Sequence, residues 1–385
     1  MPSEQSDSIV SVENEKALLD GLLVGRDAAT SAFRKRTSAF DFQKVHPADV
    51  AEWEAKGWEF AARGKRQHKM RRAKPHYRVL EDRAWGLLYR MGYPDIGTDK
   101  FVVRFTRDSG TEGTKQIDAF AVDSETAIVI ECKSSKERGK RSLRQDLQET
   151  KSLQNYIRAS IFSHYPTKPK LIWLYITSNI IWSEPDIERA KDANVYIITE
   201  NELAYFETFI GHMGPAGRYQ VLGEFLQGQK ISNATATRIP AIRGKLGGQT
   251  FYSFVTTPRE LLKIAFVNHQ ALNHPDATPA YQRMISPSRV KAIGQFIKQG
   301  GYFPTNILIN FNDRPVFGLL PNTANADKTL KFGWLSLPNK YRSAWIIDGQ
   351  HRLYGYSGLD DEYLDQSLNV IAFEGLAKAK EQTSL

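Results

Sequence analysis

Asp118, Glu131 and Lys133 are the residues whose types and spacing point most directly to chemistry. Asp118 lies in a strand-like run, 115–122. Glu131 and Lys133 lie in a second, 126–133, beyond the polar turn Asp123-Ser124-Glu125. Glu131 and Lys133 are two apart, so they share a strand face, while Cys132 points the other way into a core. A tight turn centred on Ser124-Glu125 opposes Asp123 to Thr126, and that register places Asp118 directly across from Glu131. Their Cβ atoms are then about 4.5–5.5 Å apart on one face. Opposed like charges cost up to roughly 1 kcal/mol when exposed, and burial pushes one of the pair towards protonation. A divalent cation between them removes the conflict, and hard oxygen ligands suit Mg²⁺, or Mn²⁺ in its place. Such an ion lowers the pKa of a bound water and stabilises charge on a phosphate, while Lys133 could orient the water or neutralise the developing charge. That is a phosphodiester-hydrolysing site in outline. The plainer reading is a surface hairpin with ordinary charges, because Glu-x-Lys alone is a weak signal. The strand–turn–strand pattern and the apolar flank Ala127-Ile-Val-Ile130 add specificity.

A second constellation follows the apolar strand 343–347, where Asp348-Gly349 makes a sharp exit and Gln350 opens a helix running to Tyr356. A glycine turn opening a helix presents free N–H groups and a dipole favourable to phosphate. His351 and Arg352 add donors, Arg352 being suited to bidentate phosphate contact. Asp348 could cap the helix or hold an ion or a water. A lone His-Arg pair reads as ordinary surface. Five polar or glycine residues interrupting an apolar context favour a site.

The rest of the chain must position these groups. Its 385 residues are 41% hydrophobic and 25% charged, enough for two cores and unlike a collagenous, disulfide-stapled or wholly disordered chain. The single cysteine, Cys132, allows no internal disulfide and fits a reducing compartment. The apolar runs are of strand length, far short of a membrane span, and the polar, acidic start is unlike a signal peptide. A cytoplasmic protein is expected. The 52 basic against 43 acidic residues give a net charge of +9, compatible with a polyanion. One basic stretch carries Lys65, Arg66, Lys69, Arg71 and Arg72, and another carries Lys136, Arg138 and Lys140. Either alone could be solvated surface. Together, flanking the acids, they point to contact with a DNA backbone.

Residues 1–60 read as short helices, with 13–26 and 47–62 the best candidates. A clear helix follows, with Leu80, Ala84, Leu87, Leu88 and Met91 at the 3.6 period and Gly92 as its stop. Strands at 101–106, 115–122 and 126–133, a basic amphipathic helix at 143–162, a strand at 170–177, a helix at 184–193 and a strand at 195–199 complete an α/β module. A short helix at 219–226 lies in the junction. The second half reads as strand 251–255, helices 258–268 and 286–299, and strands 306–311, 343–347 and 369–373.

Asp118…Glu131-Cys-Lys133 resembles the D…(D/E)-x-K signature of the PD-(D/E)XK nuclease superfamily, and the element order across 76–200 resembles that superfamily's αβββαβ core. The proline usual before the first acid is Ile117 here. The resemblance implies a Mg²⁺-dependent endonuclease. Glu81 matches the carboxylate that joins the metal from the first helix, Asp82 does so less well, and Gln148 or Gln154 matches a helical glutamine of some branches. Asp348-Gly-Gln-His-Arg352 resembles the motif of the DGQHR-domain family, which includes DndB-type proteins of DNA phosphorothioation systems and is related to the ParB/sulfiredoxin-like fold. Tyr281-Gln282-Arg283 and the helix after it resemble the early part of ParB-like domains. This resemblance implies nucleotide or phosphate binding by Asp348, Gln350, His351, Arg352, Gln282 and Arg283, with a nucleoside triphosphate as ligand.

The expected architecture is therefore an α/β chain of two domains. A helical region with its basic stretch (1–75) precedes a restriction-endonuclease-like domain (76–206). A junction (207–237) leads to a ParB/sulfiredoxin-like α+β domain (238–385), expected to be shortened because a final amphipathic helix does not follow 370–376. The expected function is a metal-dependent DNA endonuclease gated by a nucleotide- or DNA-sensing domain, in restriction or phage defence linked to DNA modification. The expected partners are DNA and other components of such a system, with a second copy of the chain as an option and no membrane. The alternatives are a non-catalytic DNA-binding regulator and an NTPase switch.

Overall fold

Thr126-Ala-Ile-Val-Ile130 has every side chain buried, the pattern of a strand covered on both faces, and the first sheet is built around it. The computed structural model describes residues 18–231, 238–267, 286–320 and 329–376. Elements of the first half are β1 (Leu19–Leu23), α1 (Arg26–Arg36), β2 (Phe40–Val45), α2 (Val50–Ala55), β3 (Glu59–Ala62), β4 (His68–Ala73), α3 (His76–Arg90), β5 (Asp95–Thr106), β6 (Glu112–Gln116), β7 (Ala119–Val122), β8 (Thr126–Lys140), α4 (Arg144–His164), β9 (Lys170–Ile181), α5 (Glu184–Asp192), β10 (Val195–Thr199), α6 (Glu200–Met213) and α7 (Arg218–Leu226). The main sheet has the order β1-β5-β7-β8-β9-β10, with β6 beside β5. Neighbours through β7 and β8 are antiparallel, and β8, β9 and β10 are parallel.

The strand period of two sorts the side chains of β8 between two helices. Ile128 and Ile130 join Leu80, Ala84, Leu87 and Leu88 of α3 in one core. Ala127 and Val129 join Leu147, Leu153 and Ile157 of α4 in the other. Each large aliphatic side chain so buried contributes about 1.5–3 kcal/mol. The spacing anticipated α3, α4, α5, β9 and β10 closely. The run at 115–122 is divided, because Ile117 and Asp118 leave the ladder between β6 and β7.

The N-terminal region differs from the expected helices. Residues 13–17 lie outside the described residues, β1 pairs with β5, and residues 40–73 form a separate sheet in the order β2-β4-β3. Alternation was present but disguised by charge. Phe40, Phe42 and Met70 hold the strand pattern, and the cations between them lie over rings, Lys69 3.7 Å from Phe42 and Arg71 4.7 Å from Phe40. The expected helix at 47–62 is cut by Gly57, whose φ of 79° suits glycine.

The second half contains β11 (Arg238–Leu246), β12 (Gln249–Thr256), α8 (Pro258–Ile264), β13 (Ala265–Phe266), α9 (Pro287–Lys298), β14 (Ile307–Phe311), β15 (Val316–Leu319), β16 (Lys331–Ser336), β17 (Ala344–Asp348), α10 (Gln350–Gly355), α11 (Asp361–Leu364) and β18 (Leu368–Glu374). Its sheet has the order β13-β17-β14-β18-β12-β11-β16-β15. Gly247 and Gly248, both at positive φ, form the two-residue turn joining β11 to β12. Residue 206, the expected domain boundary, lies inside α6. Phe206, Phe209, Met213, Val221 and Phe225 belong to one apolar core with Tyr252, Ile309 and Leu353 of the second half. Part of the stretch expected as a junction, along α6 and α7, therefore contributes to that core. Among the described residues no helix is long and apolar enough to cross a membrane.

Candidate active site

The site grows from the turn between β7 and β8. The Asp123 carboxylate accepts the N–H groups of Glu125 and Thr126 at 2.8 and 2.7 Å, and the Asp123 N–H donates to the Thr126 carbonyl. That tight turn fixes the register through Ala119 opposite Ile130. Asp118, in the bend just before β7, comes next. Its Oδ2 accepts the Cys132 N–H at 2.7 Å, which anchors it against the peptide following Glu131.

Glu131 is 5% exposed, and among the described residues its Oε1 has no hydrogen-bond partner. Two ammonium groups stand off from it, Lys115 Nζ at 3.9 Å from Oε1 and Lys133 Nζ at 3.8 Å from Oε2. Both distances are too long for hydrogen bonds. Burial, then the charge of Asp118, pushes the Glu131 carboxyl up to about 7, with the two lysines pulling the other way. Burial also raises Asp118, restrained by the Cys132 N–H and by Lys133 and Lys115. Burial works against the charge of Lys133, but its bond to Asp146 Oδ1 at 2.9 Å and its acidic neighbours hold it protonated beyond its ordinary range. Asp146 sits in the first turn of α4, which Tyr175 steadies by donating to the Asp146 carbonyl.

Glu81 on α3 is pushed up first by burial and then by the charge of Asp118, and Arg78 approaches it at 3.7 Å. Asp82 is committed elsewhere, buried between Arg36 at 2.8 Å and Lys74 at 2.6 Å. Among the described residues no group of three or more histidine, cysteine or acidic side chains is gathered closely enough to hold a metal ion. Glu81 is thus not drawn into one cluster with Asp118 and Glu131. The pair alone still fits a hard divalent cation, because two adjacent carboxylates repel and one buried oxygen lacks a donor among the described residues. Gln148 is exposed, and Gln154 donates to the Ala193 carbonyl at 2.7 Å, so neither serves the acids.

Lys115, Asp146 and Glu149 surround the pair and were missed from sequence. Lys115 bridges Glu131 and Glu149, the latter at 3.1 Å. The available signal was placement, since Asp146 occupies the first helical turn, where a carboxylate is favoured.

Of the basic residues, Lys65 and Arg66 lie in the exposed connection from β3 to β4. Lys69, Arg71 and Arg72 lie on β4, with Arg71 also paired to Glu59. Lys136, Arg138 and Lys140 lie on the far end of β8 and are exposed.

In the second half, Gly349 takes φ 91° and α10 follows, as the motif predicted. The Arg352 guanidinium donates to the Thr305 carbonyl at 2.8 Å, to the Thr305 hydroxyl, and to Asp348 Oδ2 at 3.0 Å. His351 Nε2 accepts the Ser286 N–H at 3.0 Å, and Gln350 is buried. The motif's side chains thus brace the entry to α10 and α9. Gln282 and Arg283 lie outside the described residues.

Residues 239–383 match the family model DndB, described as DNA-sulfur modification-associated, which supports a DndB-type domain in the second half. No curated protein matches the chain. Among solved structures it is similar to protein VC1899 from Vibrio cholerae, at 15% identity over 48% of each chain with a TM-score of 0.26. The chain spans about half the length of that protein.

Proposed function

We propose that the chain is a metal-dependent endodeoxyribonuclease with a PD-(D/E)XK-type site in its first half, gated by a DndB-type, ParB-like second half within a system linked to sulfur modification of DNA. The observation that carries the reading is the buried Glu131 carboxylate, its Oε1 without a donor among the described residues, set beside Asp118 with Lys133 next to it. Asp118 and Glu131 would hold Mg²⁺ or Mn²⁺, and the bound ion supplies a water of lowered pKa and charge neutralisation at the phosphate. Asp118 is held by the Cys132 N–H, so its orientation is set before any ligand arrives. Lys133, oriented by Asp146, would direct the attacking water and offset charge on the phosphoryl oxygens. The second half would sense a modified DNA or a nucleoside triphosphate near Asp348–Arg352. A triphosphate would have to compete with Thr305 and Asp348 for Arg352.

The test is plasmid cleavage on phosphorothioated and plain DNA, with Mg²⁺, Mn²⁺ or chelator and with or without nucleotide. Nicking or cleavage that needs the ion and disappears in Asp118→Ala and Lys133→Ala is the expected result. Absence of cleavage on both DNAs with both ions would remove the nuclease reading. One observation favours a second reading, a non-catalytic DNA-binding regulator: Lys115 and Lys133 already offset the charge of Glu131. That reading expects salt-sensitive DNA binding indifferent to Mg²⁺ and to Lys133→Ala.

A further inference from the structure

β8 and β9 pair in continuous parallel register from Thr126 opposite Lys170 to Ser134 opposite Ser178, and pairing resumes at Gly139 opposite Ile180. Four residues of β8, 135–138, thus stand opposite one residue of β9, Asn179. A bulge of this kind bends a strand and re-aims its side chains, and bulges concentrate beside active sites. This one begins two residues after Lys133.

It is also held deliberately. Asn179 takes φ 58°, a left-handed conformation that asparagine tolerates better than most side-chain-bearing residues because its short amide can hydrogen-bond locally. In that conformation its Nδ2 donates to the carbonyl of Ser135 at 3.1 Å and reaches that of Lys136 at 3.5 Å. The base is closed by Arg141, whose guanidinium donates to the Ser134 carbonyl at 3.4 Å. What this scaffold presents is Lys136, Glu137 and Arg138, all exposed, with Lys140 just beyond. Among the described residues none of these cations is in an ion pair. Arg141, by contrast, is spent on the backbone.

We propose that the bulge at 135–138 is the element that engages duplex DNA beside the acidic pair, with Lys136 and Arg138 meeting the polyanion and Asn179 as the positioning residue. This rests on the reading of DNA as the substrate. A bulged two-stranded ribbon has the width that the major groove admits, and an arginine at its tip can reach phosphate or a guanine edge. Placement so soon after Lys133 would bring the bound backbone to the acids.

The test is fluorescence-anisotropy binding of the full chain to a labelled duplex, without divalent metal, over a series of salt concentrations. The variants are the exposed double substitution Lys136→Ala/Arg138→Ala and Asn179→Gly, which keeps the backbone conformation and deletes only the clamp. The double variant should bind at least about fivefold more weakly, with its salt slope reduced by roughly 1–2, since each phosphate contact contributes about 0.9. Asn179→Gly should weaken binding by a smaller factor at an unchanged melting temperature. Wild-type affinity and slope in the double variant would overturn the proposal. A wild-type chain that binds no DNA would overturn it together with the substrate reading. Binding sensitive to these variants, together with no plasmid cleavage on either DNA in Mg²⁺ or Mn²⁺, would retire the nuclease activity and leave the contact standing.

Discussion

At the scale of single residues, the unusual feature is a glutamate that the fold prefers to keep protonated. Burial and Asp118 raise Glu131 to about 7 from an ordinary 4.5. At low pH folded and unfolded chains both hold the proton, so nothing is lost. As pH rises from about 4.5 to about 7 the unfolded chain releases it first, and stability falls by an amount on the order of 3 kcal/mol before levelling off. Asp118 is shifted in the same direction. Urea titrations across this window should show the fall, and Glu131→Gln should flatten it. Mg²⁺ or Mn²⁺ should raise the midpoint more at pH 8 than at pH 5, because ion and protons compete for the same oxygens. Equal stabilisation at both values would place the ion elsewhere. The acids and Lys133 were legible because a tight turn and a period of two leave little freedom between residues 118 and 133. Lys115 and Asp146 were not, since their distance from Glu131 depends on how β6 leaves the ladder and where α4 lands.

At the scale of elements, α3 is the hinge between what could be read and what could not. Its own periodicity is plain, with Leu80, Ala84, Leu87 and Leu88 inward. What packs on its solvent-side start was hidden, because Arg36 and Lys74 belong to charged stretches that look like surface. Both cations are buried on Asp82 of α3, and Lys74 also donates to the carbonyls of Lys35 and Arg36. Asp82→Ala leaves two buried cations without a counter-charge and should cost about 3–5 kcal/mol, read by chemical denaturation. Asp82→Asn should cost less, since the amide oxygen still accepts a bond. A loss under 1 kcal/mol in the alanine variant would mean that the N-terminal sheet is not fastened there. The strands β15 and β16 escaped notice for a similar reason. Gly318 and Gly333 interrupt their apolar pattern, and strand propensity alone is a weak guide at a sheet edge.

At the scale of the whole molecule, two sheets share one core through α6 and α7, and a buried polar knot marks where they meet. Arg218 pairs with Asp123 at 2.9 Å, stacks over the rings of Tyr93 and Tyr219, and lies beside the turn from which β8 runs to Glu131. The hydroxyl of Tyr341, from the second half, is buried in the same region and without a partner among the described residues. Elements that share a continuous apolar core lose it together, so the halves should unfold as one cooperative unit. Tryptophan fluorescence, sensitive to Trp85 and Trp173 in the first half and Trp345 in the second, should trace a single urea transition that coincides with loss of far-ultraviolet circular dichroism. Arg218→Ala leaves Asp123 buried without its counter-charge and should shift both signals together, by about 3–5 kcal/mol. Two resolved transitions, or an Arg218→Ala effect confined to one signal, would show that the halves are independent. Gating of the acidic pair by the second half would then lack a mechanical route, because the turn that sets the register of Asp118 against Glu131 would no longer feel what the second half binds.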